Sequence, residues 1–221
     1  MNVIVVGAGG QSRVILGLLS HYSDITVAGI ADRTESTLGQ AIGSTTIITT
    51  WDGVGDWRHR GIEAVVLAIG DNAEREQMYH RTLAMGYQVV GARHPTAIVE
   101  QGAYVGQACV LCAGSIICAE ARIGDNVLIN TGAIVDHECL IGSHAHICPG
   151  VRLAGRVSVG ERTFLGIGSC VIEKKRIGRD VVVGAGSVVV SDLPDDVVAY
   201  GVPARIRKNA DLSESPQKTG I

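Results

Sequence analysis

His137 stands between two carboxylates in the run Asp136-His137-Glu138. Imidazole changes charge near neutral pH, and an adjacent carboxylate fixes its tautomer and raises its basicity. That pairing suits removal of a proton from an amine or hydroxyl nucleophile. A surface histidine in a charged turn is the competing reading. His146 follows nine residues later as a candidate hydrogen-bond donor. His144 shows no partner pattern and reads as a plain corner residue. His21, His59, His80 and His94 belong to no constellation.

A second group suits a phosphate. Gly7-Ala8-Gly9-Gly10-Gln11-Ser12 follows the apolar run Val3-Ile4-Val5-Val6 and opens a segment of helical spacing. Backbone amides at such a helix start receive anions. Asp32 lies 25 residues after Gly7, at the end of a second predicted strand, where a carboxylate binds a ribose or base. A structural turn in a βαβ unit is the competing reading. The segment is short for a full dinucleotide fold, so a sugar nucleotide fits better than a nicotinamide dinucleotide.

The elements that must position the histidines are set by a repeat. Aliphatic residues recur every six positions at Val99, Val105, Leu111, Ile117, Ile123, Ile129, Val135, Ile141, Ile147, Leu153, Val159, Leu165, Val171, Ile177, Val183 and Val189. Neither a helix nor an ordinary sheet has this period. It belongs to a prism-shaped solenoid in which three hexads form one coil of a parallel β-helix. Two positions before the aliphatic the residue is mostly small, as at Ala121, Ala133, Cys139, Ala145 and Thr163. With Val135 and Ile147 inside, the register predicts that His137 sits at an outward corner and that His146 also faces out. Nine residues are half a coil, so the two histidines meet only across a boundary between neighbouring prisms.

Residues 1–94 have a different period. Predicted strands at Val3–Val6, Ile25–Ile30, Ala64–Ile69 and Gln88–Val90 alternate with predicted helices at Ser12–Leu19 and Glu74–Met85, the latter closed by Gly86. This is an α/β, Rossmann-like domain with a parallel sheet. The β-helix is expected over 95–207, Leu193-Pro194-Asp195-Asp196 breaks the repeat, and the polar tail 208–221 reads as disordered. The net charge of −3 argues against nucleic-acid binding by bulk electrostatics. The opening MNVIVVGAGG lacks a basic n-region, and no run approaches the roughly 18 apolar residues of a membrane span, which predicts a cytoplasmic protein. The six cysteines follow the repeat and read as reduced structural thiols, and no metal site is expected.

The stretches VVGAGGQSRV, AIGDN, HPTAIV, INTGAIVDHECLIG, HAHICPGVRLAG, FLGIGS, VGAGSVV and GVPAR resemble one family over residues 1–207. It comprises the hexapeptide-repeat bacterial sugar acyltransferases, including UDP-4-amino-sugar acetyltransferases, GDP-perosamine N-acetyltransferases and sialic-acid O-acetyltransferases. The resemblance implies a homotrimer of left-handed β-helices with acetyl-CoA between adjacent prisms. It implies that His137 is the general base, that Glu138 raises its basicity, and that His146 hydrogen-bonds acetyl-CoA from the neighbouring subunit. It assigns Gly155, Ile167 and Ala185 to the CoA cleft. Gly9, Gly10, Gln11, Asp32, Arg33, Gly70 and Asn72 are assigned to the sugar nucleotide, and Asn130 to the acceptor. The implied reaction is N-acetylation of a nucleotide-linked 4-amino-4,6-dideoxy sugar for surface glycans. UDP is the favoured carrier, with GDP or dTDP as alternatives.

Two departures stand out. Gln11 occupies a glycine-loop position where the family usually carries His, and Gln cannot be cationic. Glu173-Lys174-Lys175 stands where relatives have a turn such as Pro-Gly, and Lys175 falls on a normally small inner position. This predicts a local bulge and a basic side chain near the CoA phosphates. O-acetylation of sialic acid or another sugar hydroxyl is one rival reading, and a non-catalytic sugar-nucleotide-binding scaffold is another. A dehydrogenase reading of the glycine loop has no hydride-acceptor site to support it.

Overall fold

The computed structural model describes residues 1–209, which divide into two compact units: Met1–Gly70 with Glu74–Ala92, and Asp71–Ala73 with the chain from Arg93 onward. The first holds a six-stranded sheet of β1 (Asn2–Val6), β2 (Thr26–Asp32), β3 (Ala41–Ile42), β4 (Thr45–Thr50), β5 (Ala64–Leu67) and β6 (Gln88–Val89), in the order β3-β4-β2-β1-β5-β6. All pairs are parallel except the β3–β4 hairpin. From Val3 onward β1 is fully buried, as is β5 apart from a few per cent at Leu67. Their sequences do not alternate because both faces are covered. Helix α1 (Gly10–Leu19) buries Ile15, Leu18 and Leu19. Helix α2 (Asn72–Ala84) ends at Gly86, whose φ of 82° is the left-handed C-terminal stop expected from sequence. The hairpin and the 3₁₀ stretch Asp52–Arg60 were not foreseen. Thr45–Thr50 is β-branched throughout and buries Ile47 and Thr49 in alternation, a strand signal diluted by its threonines. β1 pairs with β2 on one side and β5 on the other. The order thus reverses at β1, the kind of switch point beyond whose carboxyl strand ends open α/β sheets bind ligands.

The second unit is a three-sided, left-handed parallel β-helix. Every hexad contributes a two-residue strand, and each strand up to Cys170–Val171 pairs with the one eighteen residues on, as in Ile117 with Val135 and Ile129 with Ile147. All the repeating aliphatics are buried except Val99 and Val105 in the first coil. The small residues two positions earlier sit beside them in the core, Ala121, Ala133, Cys139 and Ala145 at 0 % exposure. One corner position per hexad takes a left-handed backbone. At one corner it is Glu120, Glu138, Arg156 and Lys174; at the next Asn126, His144, Arg162 and Asp180; at the third Gly114, Gly132, Gly150, Gly168 and Gly186.

The bulge expected at Lys175 does not form. Ser158 and Val159 pair in register with Arg176 and Ile177, and the Ser158 N–H donates to the Lys175 carbonyl. Lys175 is only half-buried, because its long stem lets the ammonium leave a position that elsewhere holds a small side chain. The last coil is two residues shorter. Leu193 pairs with Ile177, sixteen residues back, and fills the core where the repeat stops. A closing hairpin then pairs Val197–Gly201 with Ala204–Asn209. Strand structure therefore extends past the expected tail boundary at Lys208, and the rest of that tail, 210–221, lies outside the described residues. Among the described residues no helix is long and apolar enough to cross a membrane.

Candidate active site

His137 follows the strand Ile134–Val135 and begins the corner that leads to Leu140–Ile141. Val135 is fully buried while the His137 side chain is half-exposed, as the register requires. Its backbone N–H donates to Asp136 Oδ1 at 2.7 Å. Glu138 takes the left-handed corner position, which turns its carboxylate back onto the ring, with Nδ1 3.0 Å from Oε2. An ionised carboxylate only accepts, so Nδ1 is the nitrogen that donates to it, and in a neutral ring Nε2 is the one that carries the lone pair. The Arg156 guanidinium donates Nε–H to the same Oε2 at 2.9 Å. That bond, followed by the His137 bond, holds the Glu138 carboxyl below its ordinary titration range.

Gly155 sits one coil after His137 and provides the seat for its ring. A Cβ at this position would lie 2.5 Å from Cε1 and 3.0 Å from Cδ2, and would collide with Nε2. Any side chain here displaces the imidazole. Gly155 is buried, and its N–H makes no hydrogen bond among the described residues. A donor thus lies on the residue that seats the Nε2 edge of the histidine.

His146 departs from expectation. It is not solvent-facing but 7 % exposed. It occupies the outward position of its strand, yet most of its outward neighbours are out of solvent too. Val110, Leu128, Val182 and Val198, outward on the same sheet, are buried as well. Phe164 packs edge-on to the His146 ring at 5.3 Å, and Asn130 Nδ2 lies 3.2 Å from Nε2. Asn130 is therefore a buried partner of His146, and its Oδ1 accepts the Thr131 N–H. His144 is also buried rather than a plain corner residue, with Nδ1 2.9 Å from Asn126 Nδ2.

Ile167 and Ala185 stack on consecutive coils, since the Gly186 N–H donates to the Ile167 carbonyl at 2.8 Å. Ile167 is 58 % exposed. They lie at the glycine corner, whereas His137 and Gly155 lie at the next corner. The sheet of Ile116–Ile117, Ile134–Val135, Arg152–Leu153 and Cys170–Val171 separates the two.

In the first unit, the segments at the carboxyl ends of β1, β2 and β5 converge. Gly7 (φ 117°) passes so close to β5 that a Cβ would lie 2.6 Å from the Ala68 carbonyl oxygen. Only glycine permits both that backbone and that approach. Gly9 and Gly10 are exposed, and α1 starts without a side-chain cap, which leaves its first N–H groups for an anion. Ser12 Oγ donates to the Gly9 carbonyl and fixes the loop. Gln11 Nε2 is buried without a hydrogen-bond partner. Asp32 Oδ2 accepts from Thr37 Oγ1 at 2.7 Å. Arg33 pairs with Glu74 and lies over the Trp51 ring at 4.8 Å. Gly70 is half-exposed and ends the β5 loop.

Asn72 is corrected. It belongs to the β-helix unit, is 5 % exposed, and spends Nδ2 on the carbonyls of Arg162 and Thr163. It fastens the chain rather than facing a ligand. The sequence reading missed Arg156, Thr37, Trp51 and Arg75. Arg156 was within reach, because it lies one full period after Glu138. Thr37 and Trp51 depend on the unforeseen hairpin region. Arg75 is fully buried and donates to the carbonyls of Ile69 and Gly70, and an arginine in the first turn of a polar helix gives no sign of that. None of the six cysteines is in a disulfide, and burial pushes the Cys112 and Cys139 thiols up to about 11, which leaves them protonated and inert.

Residues 2–82 match the family model described as the PglD N-terminal domain, and residues 120–155 match that of the bacterial transferase hexapeptide. Among solved structures the chain is similar to PerB from Caulobacter crescentus, crystallised with CoA and GDP-perosamine. Identity is 40 % over 94 % of this chain and 98 % of that one, with a TM-score of 0.89. It is also similar to the acetyltransferase domain of PglB from Neisseria gonorrhoeae in complex with acetyl coenzyme A, at 31 % identity over 93 % and 98 % of the two chains and a TM-score of 0.84. A UDP-N-acetylbacillosamine N-acetyltransferase from Bacillus subtilis is 36 % identical over 125 residues, 51 % of each chain. The chain spans about half the length, or less, of the curated relatives it matches.

Proposed function

Because the chain belongs to the hexapeptide-repeat sugar acyltransferases that carry a PglD-type N-terminal domain, we propose that it transfers an acetyl group from acetyl-CoA to the amine of a nucleotide-linked amino sugar. The observation that carries this reading is the His137 geometry. One ring nitrogen is held by Glu138, and the other faces an exposed corner next to Gly155, whose N–H makes no hydrogen bond among the described residues. Acetyl-CoA supplies the thioester. His137 Nε2 accepts the proton of the attacking amine, and Glu138 stabilises the imidazolium that results. The Gly155 amide is positioned to donate to the oxygen that becomes negative. The C–N bond forms as the C–S bond breaks, CoA leaves as the thiolate and takes up the proton held by His137, and no covalent acyl-enzyme is needed.

The acceptor class follows from the resemblance and the switch point at β1. A diphosphate meets the uncapped start of α1 at Gly9 and Gly10, and Gln11 donates Nε2–H to it. Asp32 and Arg33 meet the nucleoside, with Gly70 as the opposite wall. The acceptor is a 4-amino-4,6-dideoxy sugar. Similarity to a GDP-perosamine-bound relative over nearly the whole chain favours GDP as carrier over UDP, whose curated relative is matched over only half its length.

The site is completed by a second copy. The sheet between the two corners presents an outward row of Ile98, Ile116, Ile134, Cys170 and Val188, apolar apart from Arg152. Threefold packing through this face sets the His137 corner of one copy against the Ile167–Ala185 corner of the next, and the cleft between them takes acetyl-CoA. His146, held by Asn130 as its brace, contacts acetyl-CoA from the neighbouring copy. The test is release of free CoA with GDP-, UDP- and dTDP-linked amino sugars and with sialic acid. We expect turnover with a nucleotide amino sugar, fastest with GDP. Turnover with sialic acid alone gives the hydroxyl reading, and no acetyl-CoA binding gives the scaffold reading.

A further inference from the structure

Arg156 lies eighteen residues after Glu138, at the same corner of the next coil. Both residues are left-handed, with φ of 61° and 57°, so their side chains leave the prism side by side. Arg156 holds the dyad at two points. Its Nε–H donates to Glu138 Oε2, the oxygen that also receives His137 Nδ1–H, and its backbone N–H donates to the His137 carbonyl at 2.9 Å. We propose that Arg156 is a positioning residue for the base. It fixes Oε2 where the imidazole needs it and opposes protonation of His137 before substrate arrives. The inference rests on His137 being that base.

Two donors share one carboxylate oxygen, so neither receives the full charge. The guanidinium is always protonated. Its positive charge works against a second cation on the ring, and its share of Oε2 weakens the carboxylate's hold on a protonated imidazole. Both effects oppose protonation of His137. The other charged groups at this corner include Asp136 on the His137 turn, Glu120 and Glu100 on the two coils before it, and Glu173 and Lys174 on the coil after Arg156. Glu173 faces Arg156, and Asp136 meets the Cys118 thiol, itself raised by burial. None of these reaches Oε2 among the described residues. Arg156 is thus the group that decides how much of the carboxylate the histidine receives.

The test is the titration of His137 in the full chain, followed by ¹H–¹⁵N NMR of its ring nitrogens and assigned by the signal lost in His137→Ala. In Arg156→Gln the midpoint is expected to rise by about half a pH unit, the effect of one exposed charge at such a distance in water. The acid limb of kcat/KM is expected to move with it, and the difference to shrink in high salt. Arg156→Lys keeps the charge and is expected to hold the midpoint while lowering kcat, since an ammonium lacks the aimed Nε–H. An unchanged midpoint in Arg156→Gln overturns the proposal even if activity or stability falls. The NMR readout needs no substrate, so it separates from the reading it rests on. If His137→Ala keeps turnover, the base assignment fails whatever Arg156 does.

Discussion

The chemistry at His137 depends on what its neighbours lack as much as on what they supply. Glu138 sets the tautomer, Arg156 shares its carboxylate, and Gly155 contributes an empty place into which the ring settles. Gly155 does not need its backbone to be left-handed, which makes it a clean probe. Gly155→Ala adds one methyl group under the imidazole without straining the main chain. Because misplacement of a catalytic group by about 1 Å costs on the order of 10²-fold, kcat is expected to fall by that much, with folding nearly intact. Steady-state kinetics beside a melting curve checks this, and wild-type kcat in Gly155→Ala would remove Gly155 from the arrangement. The triplet around His137 was legible from residue types alone. The seat at Gly155 was not, because a glycine eighteen residues away contributes only through a contact that the coil creates.

At the scale of elements, the hexads were legible because two-residue strands with one inward aliphatic leave a strict period of six. Ile147 is fully buried between Ile129 and Leu165. Ile147→Ala is expected to cost about 2–5 kcal/mol, read from chemical denaturation, because neighbouring coils cannot collapse into the gap. A loss below about 1 kcal/mol would mean that the coil interior is not close-packed there. Register alone did not reveal that His146 and most of its outward neighbours are out of solvent, since period reports which way a side chain points and not what lies over it. The β3–β4 hairpin escaped for a related reason. Thr45–Thr50 alternates burial without alternating hydrophobicity. Lys175 shows that one long side chain at a small position need not disturb the ladder when its charge can reach solvent.

For the whole molecule, one chain keeps the proposed base and the proposed CoA surface at different corners of its prism, with a largely apolar sheet face between them. The account's central claim is that catalysis happens only where two copies bring those corners together. The most direct measurement uses two variants that fail for opposite reasons, His137→Ala and Ala185→Trp, each expected to lose on the order of 10² or more in kcat. Co-expressed as mixed assemblies at equal levels, some neighbouring pairs combine an intact His137 corner with an intact Ala185 corner. About a quarter of all sites are then complete by random pairing around a closed ring, and activity should return to that fraction of wild type. Activity no greater than that of the separate variants would show that each chain carries its site alone, and would contradict the account.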